Sequence, residues 1–246
     1  AVTHLLAAGW RVHALVRDPT DARALSLQTL GAKLFKGELS TPSVTNSTPP
    51  SAASTTATVP GLDAAIAGCA ALFLNQMPNW TPGGEAREAA TILAAAKAVG
   101  VQHVVHATGL SLNDPQHAEK MEGSIVAPAI LGKGEVEELV KASGITYTIL
   151  RPGWFMTNLT LPLVGVMFPE LVASGRFVHS YGEGCVLPLV DPEDVGAFAA
   201  AAVEDPARFG GQTIAIAGEK LGIKEIVEWI GRVAGKEVVV VERSDE

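Results

Sequence analysis

The stretch that decides the fold lies in the middle of the chain, where QHVVHAT (102–108) is followed by GEVEELVKASG (134–144) and TYTIL (146–150). The outer two segments are short and apolar, as buried strands are, whereas the middle one has helical length and ends at a glycine. A strand, a helix and a second strand in this order are typical of a βαβ unit, which places both strands parallel in one sheet.

The same alternation extends toward the N-terminus. Strands are predicted at 11–17, 33–39 and 70–75, and helices at 5–9, 18–31 and 84–100. This pattern predicts an α/β fold with a Rossmann-like doubly wound parallel sheet. Such a sheet normally opens with a strand and a glycine-rich turn, but this sequence starts inside a helix. We therefore expect the first strand and the glycine motif to be missing, through either a truncated sequence or a damaged cofactor site.

Two regions break the alternation. Residues 40–60 are crowded with Ser, Thr, Pro and Ala and predict a disordered surface insertion, the alternatives being a regulatory loop or an error in the gene model. Residues 152–190 read as irregular and apolar, and they precede a helix, a strand, an amphipathic helix and a final strand. We predict a Rossmann-like portion at 1–151 and a small substrate or lid lobe at 152–246 that is not an independent domain.

Composition narrows the class of function. The 246 residues include 18 Lys plus Arg against 26 Asp plus Glu, which gives a formal charge of -8. This acidic balance, without a basic run, argues against direct nucleic-acid binding. The uncharged, apolar stretch 152–169 contains three prolines and predicts a pocket wall rather than a membrane span. Two cysteines favour a reducing compartment, the cytoplasm or the nucleus.

Lys133 is the first candidate for chemistry. It precedes Val136 by three residues and Val140 by seven, so a continuous helix would place it on the inward, apolar stripe. One reason for an inward lysine is donation to ribose hydroxyls and lowering of the pKa of a substrate oxygen. The alternative is a lysine whose stem lies along the core while its ammonium reaches water.

Arg17 and Thr108 follow predicted strands, at the edge where ligands of open α/β sheets bind. An arginine after the second strand of a nucleotide-binding sheet suits the 2′-phosphate of NADP, although Asp18 beside it weakens a preference for NADP over NAD. The alternatives are a solvated arginine at a loop edge and simple turn chemistry for Thr108. His103 and His106 are three apart on a strand and point to opposite faces, which excludes a metal pair.

Several further segments, in their order and spacing, make the chain resemble the NmrA-like family of atypical short-chain dehydrogenases/reductases. The resemblance covers nearly the whole chain apart from residues 40–60. The segments that carry it are Leu15-Val16-Arg17-Asp18-Pro19, Gly37-Glu38-Leu39, Gly132-Lys133-Gly134-Glu135-Val136-Glu137-Glu138, Thr148-Ile149-Leu150-Arg151-Pro152-Gly153, residues 155–159, Val190-Asp191-Pro192-Glu193-Asp194-Val195-Gly196 and Phe209-Gly210-Gly211.

The resemblance implies a cofactor, NADP(H) or NAD(H), and a set of residues around it. Lys133 would lie near the nicotinamide ribose. The remaining cofactor contacts would come from Arg17 and Asp18 at the adenosine ribose, Glu38 and Leu39 at the adenine, Asn75, Gln76 and Met77 after the fourth strand, and Phe155, Met156, Thr157 and Asn158 over the nicotinamide end. Classical short-chain dehydrogenases carry a tyrosine four residues before the lysine, where this sequence has Ala129.

Two functions from different classes remain open at this stage. The first is an NADP(H)-dependent oxidoreductase that reduces a small carbonyl, quinone or enone, with the proton supplied by water or by a group such as Tyr181. The second is a redox sensor, of the kind related to transcriptional regulators, that binds the cofactor without turnover and acts through a protein partner. Ala129 favours the sensor because alanine has no proton to donate. A third alternative is a remnant that binds no cofactor.

Overall fold

The computed structural model describes residues 1–39, 59, 61–124, 126–182 and 184–243, so the predicted insertion at 40–60 lies outside the described residues except for Val59. The chain divides into two units. The first consists of Ala1–Arg151 and Gly196–Ile214, and the second of Pro152–Val195 and Ala215–Glu246. The assignment of the second unit as a substrate lobe stays a prediction.

Helices and strands alternate along the first part of the chain. In chain order the elements are α1 (Val2–Ala7), β1 (His13–Val16), α2 (Ala22–Thr29), β2 (Lys33–Lys36), α3 (Leu62–Ile66), β3 (Ala71–Leu74), α4 (Gly84–Ala98), β4 (His103–Ala107), a 3-10 helix (Leu110–Asn113), α5 (His117–Lys120), α6 (Ala127–Ala142) and β5 (Thr146–Pro152). The order confirms the predicted alternation. The predicted strands at 11–17, 33–39, 70–75 and 102–108 and the helix at 84–100 are present but shorter by two or three residues, whereas the strand predicted at 146–150 extends to Pro152.

In the second part of the chain, elements of two to six residues occupy 154–190, and two longer helices follow. In chain order the elements are β6 (Trp154–Phe155), a 3-10 helix (Met156–Leu159), α7 (Leu163–Met167), α8 (Pro169–Ser174), β7 (Arg176–His179), β8 (Val186–Val190), α9 (Pro192–Glu204), α10 (Pro206–Phe209), β9 (Gln212–Ile216), β10 (Glu219–Gly222), α11 (Ile223–Ala234) and β11 (Val239–Glu242). The prediction that residues 152–190 are irregular is therefore wrong. Elements of two to six residues are too short to show a period in an apolar sequence.

The sheets of the first unit are parallel, which confirms the predicted fold class. β1 pairs with β2, and β3, β4, β5 and β9 form a four-stranded sheet in that order. All five residues of β4 are buried, as expected for a strand covered by helices on both faces. Among the described strands, β1 and β3 pair with different neighbours and not with each other.

Helices α4 and α6 cover the four-stranded sheet. Ile92 and Ala96 of α4 pack with Val136 and Val140 of α6 and Val104 of β4 in one apolar cluster. α6 begins at Ala127 rather than at the predicted residue 134, because a proline is favoured in a first helical turn and the packed helix tolerates its internal glycines. Lys133 therefore lies inside a continuous helix, as its spacing requires.

The second unit has its own sheets and core. β8 lies between β6, to which it is parallel, and β10, to which it is antiparallel, while β7 and β11 form a parallel pair. Phe168 and Phe177 stack at 4.4 Å between ring centroids in a cluster that α11 covers with Ile223, Ile226 and Val227. Among the described residues, every helix is too short or too polar to cross a lipid bilayer.

Candidate functional site

A cavity of about 1000 Å³ lies in the first unit, at the carboxyl ends of β1, β2 and β3. This is the edge at which open α/β sheets bind ligands. It brings together seven of the residues predicted to contact a cofactor, which are Arg17, Asp18, Glu38, Leu39, Asn75, Gln76 and Met77. These residues lie far apart in sequence but close together in space, because they follow the carboxyl ends of three strands.

Arg17 and Asp18 follow β1 directly and are both exposed. Asp18 Oδ1 accepts hydrogen bonds from the backbone N–H of Thr20 at 2.8 Å and from its hydroxyl at 2.7 Å, and these bonds lower the pKa of Asp18. Within the part of the chain that the structure describes, the Arg17 guanidinium makes no hydrogen bond or ion pair. The Arg17 guanidinium is thus available to a ligand, whereas the Asp18 carboxylate beside it already accepts two hydrogen bonds from Thr20.

The segment after β3 contributes both polar and apolar groups. The side-chain amide of Gln76 is buried and donates to the Glu85 carbonyl at 2.9 Å and to Glu88 Oε2 at 3.1 Å. Its hydrogens are thus already bound to protein. Met77 and Trp80, by contrast, are 78% and 57% exposed and line the cavity. Trp80 was not predicted from the sequence, although a tryptophan in a polar loop after a buried strand is a usable signal.

Glu88 fixes this loop to the first turns of α4. Its Oε1 accepts from the side-chain amide of Asn79 at 2.7 Å, while Asn79 Oδ1 accepts from the backbone N–H of Thr81 at 3.0 Å. Gly84 permits this close approach, because a Cβ there would lie 2.5 Å from the Asn79 side chain. The loop that lines the cavity is therefore tied to a rigid helix by a buried carboxylate.

Lys133 lies outside the cavity lining but contacts it. Its Nζ donates to the Gln76 carbonyl at 3.2 Å and to Glu85 Oε1 at 2.8 Å, and the lysine side chain is only 18% exposed. Burial raises the pKa of Glu85, and the hydrogen bond and charge of Lys133 oppose that rise. The inward position predicted for Lys133 is thus correct, and its buried counter-charge is a residue that sequence reasoning missed.

A second buried ion pair joins Glu137 of the same helix to Arg151 of β5. Glu137 accepts from Arg151 Nε at 2.9 Å and from Arg151 Nη2 at 2.6 Å, and Thr108 donates its hydroxyl to Glu137 at 2.8 Å. The Thr108 hydroxyl is therefore used within the protein, so the predicted cofactor contact of Thr108 would have to involve another atom. Burial lowers the pKa of the neighbouring His106 to about 4, so this histidine is neutral at pH 7.

The other predicted residues belong to the second unit. Phe155 lies in β6, opposite Val190 of β8, and Met156, Thr157 and Asn158 form the 3-10 helix that follows. Met156 packs against the core of that unit, whereas Thr157 is exposed. Their contact with the nicotinamide end of a cofactor stays a prediction.

The two tyrosines differ in their surroundings. Tyr147 packs against the apolar core of the first unit. Tyr181, in the second unit, stacks on His179 at 5.7 Å between ring centroids. Burial raises the pKa of Tyr181, against the opposing effect of a hydrogen bond with Trp154, which makes this phenol a weaker acid at neutral pH. Ala129 is buried in α6, as is usual for a packing residue.

The sequence matches a model of the NmrA-like family over residues 1–244. An NAD(P)H azoreductase of Xenophilus azovorans is 28% identical over 196 residues, covering 78% of this chain and 54% of the relative. A (4-alkanoyl-5-oxo-2,5-dihydrofuran-3-yl)methyl phosphate reductase of Streptomyces griseus is 30% identical over 176 residues, covering 71% of this chain and 55% of the relative. The chain therefore spans about half the length of these curated relatives.

Solved structures show the same fold. An NADPH-dependent quinone oxidoreductase of Escherichia coli, complexed with NADPH, has a TM-score of 0.68 at 24% identity, covering 99% of this chain and 74% of that one. NmrA, a negative transcriptional regulator in complex with NAD, has a TM-score of 0.70 at 22% identity, covering 99% and 70%. At this level of identity the likeness establishes the architecture that the strand order already indicated.

Proposed function

The chain belongs to the NmrA-like family, and on that premise we propose that it binds NADP(H), or NAD(H), in the cavity beside Arg17 and reduces a small carbonyl, quinone or enone. The observation that carries the proposal is the cavity at the carboxyl ends of β1, β2 and β3, with the uncommitted Arg17 guanidinium in its lining. The names of the azoreductase and of the (4-alkanoyl-5-oxo-2,5-dihydrofuran-3-yl)methyl phosphate reductase support a reductase over other activities.

The residues present fit the adenosine end of such a cofactor. A volume of about 1000 Å³ lies at the upper end of the usual range for ligand pockets. Trp80 and Leu39 supply apolar surface for an adenine ring, and Arg17 supplies a planar guanidinium that matches phosphate geometry. Asp18, whose carboxylate is kept ionised by two hydrogen bonds from Thr20, disfavours a phosphate beside it, so NAD(H) stays the alternative cofactor.

When bound, the cofactor would supply the hydride. Lys133 would then orient the reacting end, because the described contacts use two of its three ammonium hydrogens and leave one for a ribose hydroxyl. Its positive charge also favours a developing negative charge on a substrate oxygen. With Ala129 at the position of the usual tyrosine, the proton would come from water or from a group such as Tyr181, whose phenol stays protonated at neutral pH because burial raises its pKa.

Trp80 offers a direct test of cofactor binding. Since its half-exposed indole lines the cavity, we expect titration with NADPH to quench the intrinsic fluorescence of the chain and to sensitise emission from the dihydronicotinamide. Trp80→Phe should lose most of the quenching while retaining affinity in calorimetry. Trp229→Phe, in the second unit, is the matched control and should keep the signal. If neither fluorescence nor calorimetry detects binding, the result would favour the third alternative, a remnant that binds no cofactor.

Arg17 tests the choice of cofactor. Arg17→Ala should weaken NADPH by about 1–3 kcal/mol, the scale of a lost charged hydrogen bond, and NADH much less. Arg11→Ala removes the same charge from an exposed position before β1 and outside the cavity lining, so it corrects for the change in net charge. Affinities for both cofactors come from calorimetry at fixed ionic strength. Equal losses for NADPH and NADH would contradict a 2′-phosphate contact.

The second candidate is a redox sensor that acts through a protein partner. The buried Ala129 favours it, since this position carries no proton donor. Assay of NADPH oxidation against a panel of carbonyls, quinones and enones, together with pull-down at fixed NADPH and NADP⁺, separates the two functions. Turnover supports the reductase, whereas partner capture that depends on the cofactor redox state, without turnover, supports the sensor.

A further inference from the structure

Glu85 is a carboxylate in an unusual place. It lies in the first turn of α4 and is completely buried, at the start of the stripe that continues through Ala89, Ile92 and Ala96. A carboxylate taken out of water in this way is costly unless it is paired, and the positive end of a helix dipole offsets only part of that cost. Its position in the fold therefore favours a nearby cation.

Lys133 is that cation, and the packing of α4 against α6 brings the two side chains together. The Lys133 ammonium lies 2.8 Å from Glu85 Oε1. A Cβ at Gly132, the residue before it, would lie 3.4 Å from Glu85 Oε2, which is ordinary van der Waals contact. The carboxylate thus packs against α6, next to the lysine that it binds.

The other charged groups nearby are engaged elsewhere. Glu137, one turn after Lys133 on α6, is held by Arg151 through two hydrogen bonds. Glu88 receives the side-chain amides of Gln76 and Asn79. His106, with its pKa lowered to about 4 mainly by burial, carries no charge at pH 7. Glu85 is therefore the counter-charge that determines where the ammonium sits.

We propose that Glu85 is the positioning residue of Lys133, holding its ammonium against the Gln76 carbonyl so that the remaining N–H faces a bound cofactor. The proposal rests on the proposed function, since it assigns Lys133 a bound ribose to contact. Glu85 acts through the lysine and touches neither cofactor nor substrate. Rigid placement of this kind matters because a displacement of about 1 Å can reduce turnover by 10²-fold.

The test compares the wild type with Glu85→Gln, which keeps the shape but removes the charge, and with Glu85→Asp, which keeps the charge but draws it back by one methylene. Glu135→Gln, an exposed carboxylate on α6, is the control. The first readout needs no cofactor: the acetylation rate of Lys133, followed by peptide mass spectrometry. We expect it to rise about tenfold or more in Glu85→Gln, less in Glu85→Asp and not at all in the control.

The second readout is steady-state NADPH oxidation. We expect kcat to fall roughly tenfold to a hundredfold in Glu85→Gln with a smaller change in KM for NADPH, and part of kcat to return in Glu85→Asp. An unchanged acetylation rate, or a Glu85→Gln kcat within about twofold of an active wild type, would overturn the proposal. The wild-type assay alone tests the proposed function: no turnover there refutes the reductase, while faster acetylation in Glu85→Gln still supports the Lys133 pairing.

Discussion

Arg151→Ala is expected to lower the free energy of unfolding by about 3–5 kcal/mol, the cost of leaving a buried carboxylate without its partner. Arg151 makes two hydrogen bonds to Glu137 and donates to the Leu112 carbonyl at 3.0 Å and to Asn113 Oδ1 at 2.7 Å, so its loss leaves several acceptors unsatisfied. Urea unfolding followed by circular dichroism measures the change. Lys120→Ala, which breaks an exposed ion pair in the same unit, should cost about 1 kcal/mol or less.

The free energy of unfolding that Arg151→Ala loses should depend on pH. Burial alone would raise the pKa of Glu137, but the hydrogen bonds from Arg151 and Thr108 hold it below its ordinary value. The wild-type pair therefore stabilises the fold above the ordinary carboxylate pKa, and that stability declines as the pH falls through the lowered value. In Arg151→Ala the pKa of Glu137 should rise instead. Acidification then protonates Glu137, removes the unpaired buried charge and reduces the stability difference from the wild type. A stability difference that stays constant between pH 8 and pH 5 would contradict an unpaired charge as its cause.

Lys133→Ala is expected to reduce kcat for NADPH oxidation by about 10²–10³-fold, the usual cost of removing one group that stabilises charge developing in the transition state. The variant loses the ammonium that the structure places beside the Gln76 carbonyl and that we propose to orient the cofactor ribose. Turnover should be measured after circular dichroism has confirmed the folded state, because the same change leaves Glu85 buried without its cation.

Two variants separate chemistry from folding in this experiment. Lys133→Met keeps the apolar stem, so it should match the alanine variant in kcat while unfolding at a higher urea concentration. Lys141→Ala removes a lysine from the same helix whose ammonium binds the exposed Glu138, so it should leave kcat near the wild-type value. Wild-type activity in Lys133→Met would remove Lys133 from the mechanism.

The sequence was informative wherever a fixed period links residue number to direction. The spacing of Lys133 to Val136 and Val140 placed its side chain on the inward stripe of a helix, and α6 confirms this. Likewise, apolar runs with turn signals located the strands of the parallel sheet, and the rule for strand ends then placed Arg17 at a ligand-binding edge, where the cavity lies. The inferences on Lys133 and Arg17 use only local geometry and the rule for parallel strands, whereas Gln76 was implied by the family resemblance.

The sequence could not predict which side chains pair between two different elements. Glu85 and Lys133 are 48 residues apart, and no period relates α4 to α6 until the helices are packed. A signal for Glu85 was nevertheless present, since it precedes Ala89 by four residues and Ile92 by seven on a predicted helix. An acidic residue on an apolar stripe implies a buried partner. Gln76 shows a similar limit, because the family resemblance implied its place after β3 but no sequence signal indicated that its amide donates to Glu88.

The link between Glu88 and the loop after β3 has a thermodynamic consequence. With Asn79 and Gln76 already held by one carboxylate, that wall of the cavity loses its conformational freedom when the chain folds. A ligand entering there does not have to immobilise the wall, so less of its binding energy is offset by lost entropy. Affinity and the local order of this loop are therefore coupled, and fraying at the start of α4 would weaken ligand binding before global unfolding begins.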